Sequence, residues 1–597
     1  MAASGTIGGV VTFTVKVSGS PIPDELRILS IRIGKRINRV SSAKLMILDG
    51  NSGTGKFDAS SSSIFVPGAQ ISIEAGYDSN NSVLFKGIVT GQAIHIDESN
   101  GSALEVECRD EAIRMIVGRK CLTYSKQKDS DIISSIIGTY SGLSADVTAT
   151  TTVWPEQVQY YVTDWDYILS AADANSMVVT TDGGKVSVFK PGANTAPVFA
   201  MKYGDGLMEC NAELNSITQL GNVTANAWDY KTQAVISTSS SASLAGAGNL
   251  SSKKLSEVIG LDNYMLQSNA PIETADLTNW TEAQVTKSEY AKIRGDVKFQ
   301  GTAIVAPGKY ITLQGLGDRF NGDHLMSGIT HNISDGNWLT DVSIGLSPTW
   351  FIEEPDVIAP AASGLLPGAS GLYSGTVKQM YEDPGSQFRI LVTVPVFDKN
   401  GAGIWARLAN FYSTSGAGVF FLPEVGDEVV VGFMNEDPRF PVILGSLYSS
   451  SKVKPFEGLA PNQKNSIKAI VSKSGISIQF DDDKKILTIE TPAKNTMIIS
   501  DDAKQITIKD QHSNSIIMSA DGITIKSPKN INIEADQNVN IKGTQGITVQ
   551  SSGGDVATKG INIKETADMQ YSAEGAQMAK VTSGMQLTLK SAMVMIN

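Results

Sequence analysis

Cysteine, basic residues and long apolar runs are all scarce in this chain of 597 residues, and each scarcity excludes a class of protein. The three cysteines, Cys108, Cys121 and Cys210, are odd in number and lack metal-ligand spacing, so we expect free thiols in a reducing compartment. Asp and Glu (61) outnumber Lys and Arg (49), giving a net charge of -12. This argues against nucleic acid or an anionic membrane as the main partner, because both require a basic surface. No apolar run approaches the roughly 20 residues of a membrane span.

Motifs that carry chemistry are also few. The four histidines are His95, His324, His331 and His512. A zinc site near His324 and His331 would need a third ligand and a tighter spacing, so we expect hydrogen-bonded histidines within a β-sheet. The sequence contains no nucleophile elbow, no H-E-x-x-H motif and no Cys/His catalytic signature. We therefore predict no catalytic, cofactor-binding or metal-binding residues, no cofactor and no enzymatic activity.

A glycine-rich segment at residues 50–57, GNSGTGKF, nearly matches the phosphate-binding pattern G-x-x-x-x-G-K-[ST]. Phe57 stands where a magnesium-binding Ser or Thr is required. The residues after it resemble a loop, not the helix whose N-terminus would hold phosphate. We therefore predict a turn here, not a nucleotide site.

The composition favours many short strands. A hydrophobic content of 41% is sufficient for packed cores, 56 glycines favour turns, and the length predicts three to five domains. Residues 11–17 alternate apolar and polar side chains, which indicates a strand and not a signal peptide. We therefore expect assembly in the cytoplasm without a classical signal.

The most informative stretch is Phe420–Tyr448, which reads FFLPEVGDEVVVGFMNEDPRFPVILGSLY. Val429, Val431 and Phe433 alternate as in a half-buried strand, and a second apolar strand ends near residue 445. The ordered elements PEVGDEV, GF, DPR and P-x-ILGSLY resemble the oligonucleotide/oligosaccharide-binding (OB) type barrel of VgrG and phage tail-spike proteins. In that family the barrel joins a wide trimeric base to a narrow β-helical needle.

Three further strands, at residues 375–380, 388–395 and 404–408, complete the five that an OB barrel requires. The segment has few basic residues beyond Lys378, Arg389, Arg407 and Arg439, and no stacked aromatic platform is evident. We therefore expect no nucleic-acid binding.

Upstream of the barrel, PGAQISI (67–73) and PGKYITL (307–313) share a turn followed by alternating apolar residues. This repeat predicts two similar β-barrels. It resembles the base of VgrG and T4-type phage hub proteins, where two barrels per chain give a trimer a pseudo-sixfold ring. The resemblance implies that the base adapts a sixfold tube to a threefold spike.

Between these barrels the periodicity becomes helical. The sequence predicts a helix over residues 129–140, capped by Asp129 or Ser130, and a second helix beginning at Asp164. It also predicts a hairpin over 180–189, a mobile loop over 237–252 and a helix over 281–295.

The C-terminal region has a different pattern. Pairs of β-branched residues recur every eight residues, at Ile523/Ile525, Ile531/Ile533, Val539/Ile541 and Ile547/Val549, with polar residues between them. One such unit cannot bury its own apolar face, whereas stacked units can, so the pattern predicts a β-helix. The repeat alone leaves open whether one chain or three build it, and the resemblance to tail needles implies three.

The predicted fold class is mainly β, with two hub-type β-barrels and a small α/β insert, an OB-type five-stranded barrel and a trimeric triple-stranded β-helix. The predicted boundaries are a base over 1–352 (barrel 1 about 1–125, α/β segment about 126–295, barrel 2 about 296–352), a linker over 353–373, the OB barrel over 374–450, a linker over 451–465 and the needle over 466–597.

The chain finishes with an apolar sequence, and an apolar end on a polar prism is an exposed patch unless a partner covers it. In the family a PAAR-repeat cone caps this surface, so the resemblance implies a docking platform formed by Met593, Val594, Met595, Ile596 and Asn597. The alternative is plain termination of the β-helix. The other partners that the resemblance implies are a homotrimer, the tube protein, baseplate components and effector cargo.

The favoured function is the structural spike of a contractile injection apparatus that punctures a target envelope. The alternatives are a β-helical adhesin, which leaves the two-barrel base unexplained, and a glycan-degrading or lysozyme-bearing tailspike. Too few residues separate the barrel from the needle for an inserted enzyme domain, and the needle acids Asp481–Asp483 and Asp501–Asp502 are expected to lie in solvated turns. Phage tails, type VI secretion and extracellular injection particles all use such a spike. The opening residues 13–49 differ from the usual type VI pattern, which favours an extracellular particle.

Overall fold

The computed structural model describes residues 8–98, 101–192, 194–355, 357–456 and 461–596. The chain forms two compact units, the first ending at Leu447 and the second beginning at Tyr448. Strands dominate both units. Among the described residues, none of the helices has both the length and the apolar character needed to cross a lipid bilayer.

The N-terminal strands form one end of a thirteen-stranded sheet, in the order β2-β1-β5-β6-β7-β4-β3. Their bounds are β1 Val11–Val17, β2 Ser20–Pro21, β3 Ile28–Arg36, β4 Ser42–Leu48, β5 Gln70–Tyr77, β6 Asn80–Asp97 and β7 Gly101–Arg109. Alternate residues such as Ile33, Leu45 and Val106 are completely buried, as the period of a strand requires. The segment predicted as a glycine-rich turn is a turn, closed by the backbone hydrogen bond from Asn51 to Lys56.

A small α/β segment follows. It comprises β8 Lys120–Lys128, α1 Asp129–Gly138, β9 Ser144–Val147, β10 Val153–Val162, α2 Asp164–Ala174, β11 Val178–Asp182 and β12 Lys185–Phe189. Both predicted helices and the predicted hairpin are confirmed. The predicted side-chain cap of α1 is wrong, because Lys128 occupies the cap position without a side-chain hydrogen bond. The Asp129 carboxylate instead accepts hydrogen bonds from Gln157 Nε2 and Asn175 Nδ2 at 2.9 and 2.8 Å.

Two boundaries in the next segment differ from the predictions. The elements are β13 Pro197–Lys202, β14 Leu207–Leu214, β15 Asn222–Asp229, β16 Ala234–Ser241, α3 Ser252–Ile259, β17 Tyr264–Ser268 and α4 Thr274–Tyr290. Part of the predicted loop is strand, because Ser237–Ser241 pair with Asn222–Asn226. Helix α4 begins and ends earlier than predicted, because residues from Ile293 onward pair with β14.

The last strands of the base complete the large sheet. They are β18 Ile293–Gln300, β19 Tyr310–Gln314, β20 Gly322–Ser334 and β21 Asn337–Ile344. Strand β20 pairs with β3 over seven residues, so the two predicted barrels are lobes of one continuous sheet. Trp338 of the second lobe is buried in the core of the first, where Tyr77 stacks on it at 5.5 Å. A side chain at Gly301 would lie 2.2 Å from the Trp338 ring, so this junction requires glycine.

All five predicted strands of the OB barrel are confirmed. The segment comprises β22 Tyr373–Gln379, β23 Ile390–Thr393, β24 Ile404–Leu408, β25 Ser413–Thr414, β26 Ala417–Gly418, β27 Glu428–Phe433 and β28 Pro441–Ser446. The closed order is β22-β23-β24-β28-β27, with β24 parallel to β28. Val392, Val429, Val431 and Ile443 fill its interior without measurable exposure.

The second unit contains one seven-stranded sheet. Its strands are β29 Ile467–Val471, β30 Ser477–Asp481, β31 Ile486–Glu490, β32 Thr496–Ser500, β33 Gln505–Lys509, β34 Ser515–Ser519 and β35 Gly522–Lys526. Consecutive strands pair antiparallel in chain order, which differs from the stacked coils of a one-chain parallel β-helix. Residues 527–596 form no strand within a single chain. The sequence left open whether one chain or three build the β-helix. The structure favours three, because the described residues of one chain do not supply partner strands for this segment.

Candidate functional site

One face of the C-terminal sheet carries two columns of large apolar side chains. The cross-strand register places these residues side by side. The first column is Ile470, Ile478, Ile489, Met497, Ile508, Ile516 and Ile525, and the second is Lys468, Phe480, Leu487, Ile499, Ile506, Met518 and Ile523. Thirteen of these fourteen residues are apolar. We call this surface the apolar face.

Most of the apolar face is open to solvent in one chain. Ten of its apolar residues have exposed fractions between 37% and 69%, and the other three, Leu487, Ile506 and Ile516, are half-buried. Covering a side chain of this kind completely stabilises a structure by about 1.5–3 kcal/mol, so the half that remains exposed corresponds to roughly 1 kcal/mol per residue. A face of this size requires a partner surface.

The opposite face of the sheet is mixed in character and includes Gln479, Thr488, Thr507 and Thr524. Its composition shows which surface is suited to association. Residues two apart share a face, and on the opposite face Ile498 and Ile517 alternate across the strands with threonines, so the unbroken columns of large apolar side chains lie on the apolar face.

The acids between the strands hold the turns. Asp510 accepts hydrogen bonds from the backbone N–H groups of His512 and Asn514 at 2.9 and 2.8 Å, and the side-chain hydrogen bond from Asn514 lowers the pKa of this carboxyl. Asp481 accepts from the backbone of Asp483 and Lys484 in the same way. Both carboxylates cap turns, as predicted for Asp481, whereas Asp510 was not among the predicted needle acids.

The predicted docking residues at the end of the chain are exposed. Met593, Val594, Met595 and Ile596 have exposed fractions of 74%, 51%, 80% and 89%. Asn597, the fifth predicted residue, lies outside the described residues. Their role in docking a partner stays a prediction.

The OB barrel contains an aromatic cluster that sequence analysis missed. The Phe397 and Phe433 rings stack with centroids 5.6 Å apart, and the edge of Tyr373 meets both rings. The three residues come from a loop and two strands that are distant in sequence, so only the alternation of Tyr373 and Phe433 within their strands could have indicated them.

The basic groups of the barrel are largely engaged within the chain. Arg389 donates to Asp383 and Arg439 donates to Asp437, with shortest N···O distances of 2.7 Å in both pairs. The Arg389 side chain lowers the pKa of Asp383, and the Arg439 side chain lowers the pKa of Asp437. Lys378 donates to two backbone carbonyl groups. Three of the four cations counted in the sequence are thus not free to bind phosphate.

His324 and His331, the two histidines considered for a zinc site, lie within the sheet. His324 Nε2 lies 2.7 Å from the Phe320 carbonyl oxygen, and His331 Nδ1 lies 2.8 Å from Thr340 Oγ1. Burial lowers the pKa of both, that of His331 to about 3. No cluster of three or more metal-ligating side chains is present in the described part of the chain.

Comparison with known proteins gives short sequence matches to type VI secretion spike proteins. VgrG1a of Pseudomonas aeruginosa is 31% identical over 85 residues, which cover 14% of this chain and 13% of that protein. VgrG3 of Vibrio cholerae is 38% identical over 52 residues, covering 9% and 5% respectively. The chain therefore matches only about an eighth or less of the length of these relatives.

Three family models match this chain. The model described as the Alg8 N-terminal domain matches residues 8–335, more than half of the chain. The chain belongs to the family that this model describes. The two further family models and the VgrG relatives identify it as a VgrG-like spike protein. The Type VI secretion system/phage-baseplate injector OB domain matches residues 373–448 of the spike, which are the closed barrel. The Phage baseplate V C-terminal trimerisation domain matches residues 486–543, which contain five strands of the apolar face.

Solved structures with similarity to the spike include phage and secretion components. A tail protein from Neisseria meningitidis MC58 is 11% identical, with a TM-score of 0.43 over 58% of this chain and 99% of that one. A Francisella PdpA–VgrG complex is 9% identical, with a TM-score of 0.36 over 87% of this chain and 88% of the other.

Proposed function

We propose that three copies of this chain form the central spike of a contractile injection apparatus. The observation that carries the proposal is the apolar face, a two-column surface without a cover in one chain, five of whose seven strands are matched by a trimerisation domain. Three such faces turned towards a common axis would exclude water from one another. The resulting prism would be stiff, because every strand would be held both within its chain and by its neighbours.

The base and the barrel would serve that spike in two ways. Two sheet lobes in each of three chains give six related surfaces, the number needed to meet a sixfold tube. The OB barrel stands between the base and the needle in the chain order, and would narrow the assembly towards the needle. The spike would contact the tube protein and the baseplate at its wide end and pierce the target envelope with its narrow end.

The function proposed here is mechanical and not enzymatic. Asp481 and Asp510 are used in turns, and Arg389 and Arg439 of the barrel are paired with carboxylates of the same chain. We propose that Met593–Ile596 and the neighbouring Asn597 dock a PAAR-repeat tip protein, and that the particle acts outside the producing cell after assembly in the cytoplasm. Effector cargo would travel with it.

The native mass of the purified chain tests the trimer. One chain has a mass of 63.4 kDa, so light scattering should give roughly 190 kDa. A truncation ending at Tyr448 keeps the first compact unit and removes the apolar face. Its mass should fall towards that of a monomer. A full-length monomer would exclude the spike proposal.

The tip proposal has its own test. Replacing Met595 and Ile596 together by lysine should abolish capture of a purified PAAR-repeat protein, while the native mass of the spike stays at the wild-type value. Capture unchanged by both lysines would show that the tip partner, if any, binds elsewhere.

A further inference from the structure

A cleft on the base brings together three arginines, Arg36, Arg39 and Arg109. It has a volume of about 440 Å³ and lies between the solvent side of the large sheet, helix α2 and the segment that follows the base. We call it the arginine cleft. It is separate from the apolar face and from the chain terminus, so neither of the proposed association surfaces accounts for it.

Strand register gives the cleft its shape. Gly34, Ser42 and Arg109 lie in one row across the neighbouring strands β3, β4 and β7. Arg36 lies two residues beyond Gly34 and therefore on the same side of β3. The floor between the two long arginines is made of a glycine and a serine, which leaves a recess bordered by guanidinium groups.

Some charged side chains in the cleft have hydrogen-bond or ion-pair partners, and others do not. Arg39 donates to the Glu354 carboxylate at 3.2 and 3.3 Å, and Asp166 accepts a hydrogen bond from Thr163 Oγ1 at 2.6 Å. The guanidinium groups of Arg36 and Arg109 form no ion pair or hydrogen bond with any residue that the structure describes. Arg36 is exposed and Arg109 is half-buried, so their donors are accessible from solvent.

The rim of the cleft is apolar. Ile113 and Ile116 border it, and 39% of the Ile116 side chain is exposed. A guanidinium fork binds a carboxylate through two parallel hydrogen bonds. The volume is several times that of a single small anion, and the apolar rim would contact only a ligand that carries hydrocarbon as well as charge.

We propose that the arginine cleft binds an acidic peptide segment of a partner protein, with carboxylates on Arg36 and Arg109 and an apolar side chain against Ile116. This inference does not rest on the trimer or on the tip. It gives the spike a lateral docking site on its base, for a protein that presents alternating acidic and aliphatic residues.

The binding test uses the full-length spike and a fluorescein-labelled peptide of three Glu-Leu repeats, followed by fluorescence anisotropy. Arg36→Gln and Arg109→Gln should each raise Kd about tenfold, and the double variant more, because each removes a charge-assisted bidentate contact. Raising the salt from 50 to 300 mM should weaken binding severalfold. Melting curves that match wild type would show that the variants are folded.

The chain supplies a matched control in Arg32. It lies on the same side of β3, is exposed, and is outside the cleft lining. Arg32→Gln should leave Kd within twofold of wild type, and a peptide of Gln-Leu repeats should not bind. Absence of binding by the acidic peptide, equal losses in Arg32→Gln and Arg36→Gln, or displacement of the peptide by 1 mM inorganic phosphate would each overturn the proposal, the last in favour of a small-anion site.

Discussion

The two units of this chain differ in how far they bury their apolar side chains. The first unit has several internal cores, in which Ile33, Leu45, Phe299 and Val431 are completely buried. In the described part of the second unit only Ser500 is buried, although its strands are rich in isoleucine. The first unit therefore folds on its own contacts, whereas the second must obtain its core from other chains.

This contrast has a thermodynamic consequence. Unfolding of a self-contained unit is independent of protein concentration, whereas a core shared between chains is stabilised by mass action. The four predictions below test the distinction, beginning with the largest expected effect.

A charge on the apolar face should disrupt the trimer. Ile525→Asp places a carboxylate on that face in all three chains, and burying three unpaired charges costs far more than one interface column provides. Light scattering should show a fall from roughly 190 kDa towards 63.4 kDa, with the first unit still folded.

The control introduces the same group one residue away. Thr524→Asp lies on the opposite face of the same strand, so its native mass should remain that of wild type. Equal disruption by both substitutions would mean that the apolar face is not the interface.

Removing the ring at the junction of the two lobes should destabilise the first unit alone. Trp338 is 1% exposed, and truncating a buried tryptophan to alanine typically costs about 3–5 kcal/mol. Trp338→Ala should lower the free energy of unfolding of the first unit by that amount, measured by denaturant titration, without changing the native mass. A loss of trimer instead would show that the two units are energetically coupled.

Acidification should weaken the first unit through His331. Burial lowers the pKa of this side chain to about 3, whereas an unfolded histidine titrates near 6.5. Below pH 6.5 the unfolded state binds a proton that the folded state does not, so stability falls as pH falls, by about 1.4 kcal/mol per pH unit. Denaturation at pH 6 and pH 5 should show this slope.

The conservative variant His331→Asn removes the titrating group and should flatten the slope by that amount. An unchanged pH dependence in the variant would assign the slope to other groups, of which buried His324 is the first candidate.

The smallest effect is expected at the surface of the second unit. Lys494 and Glu490 form an ion pair at 2.5 Å between side chains that are 74% and 33% exposed. Exposed pairs contribute little, so Lys494→Ala should shift the melting temperature of the trimer by only about 1 °C. A shift of several degrees would indicate that this pair is covered in the assembly.

Much of the architecture was predictable from local sequence. The OB barrel follows from turn residues and alternation, since Val429, Val431 and Ile443 all face its interior. Helices α1 and α2 follow from the spacing of apolar residues such as Ile132 and Ile136. These features depend on residues that are close together in the sequence, so a sequence pattern can predict them.

The features that were missed depend on distant residues. The β3–β20 pairing joins strands from opposite ends of the base, and nothing local in either strand specifies the other. The cap of α1 was misplaced because Asp129 is held by Gln157 and Asn175. On the apolar face, the Ile523/Ile525 pair was predicted, whereas Met497/Ile499 and Ile516/Met518 were not, because methionine obscured the β-branched repeat.

The pairing of β3 with β20 also imposes a delay during synthesis, because β3 is made long before its partner strand. Arg36 and Gly328 are about 290 residues apart, and a ribosome adds roughly 5–20 residues per second, so the open edge of β3 waits on the order of 15–60 s for its partner. An unpaired edge strand is a template for mispairing with other chains. The nascent base is thus most vulnerable to aggregation during that interval, and slowing translation before β20 should lower the yield of soluble spike.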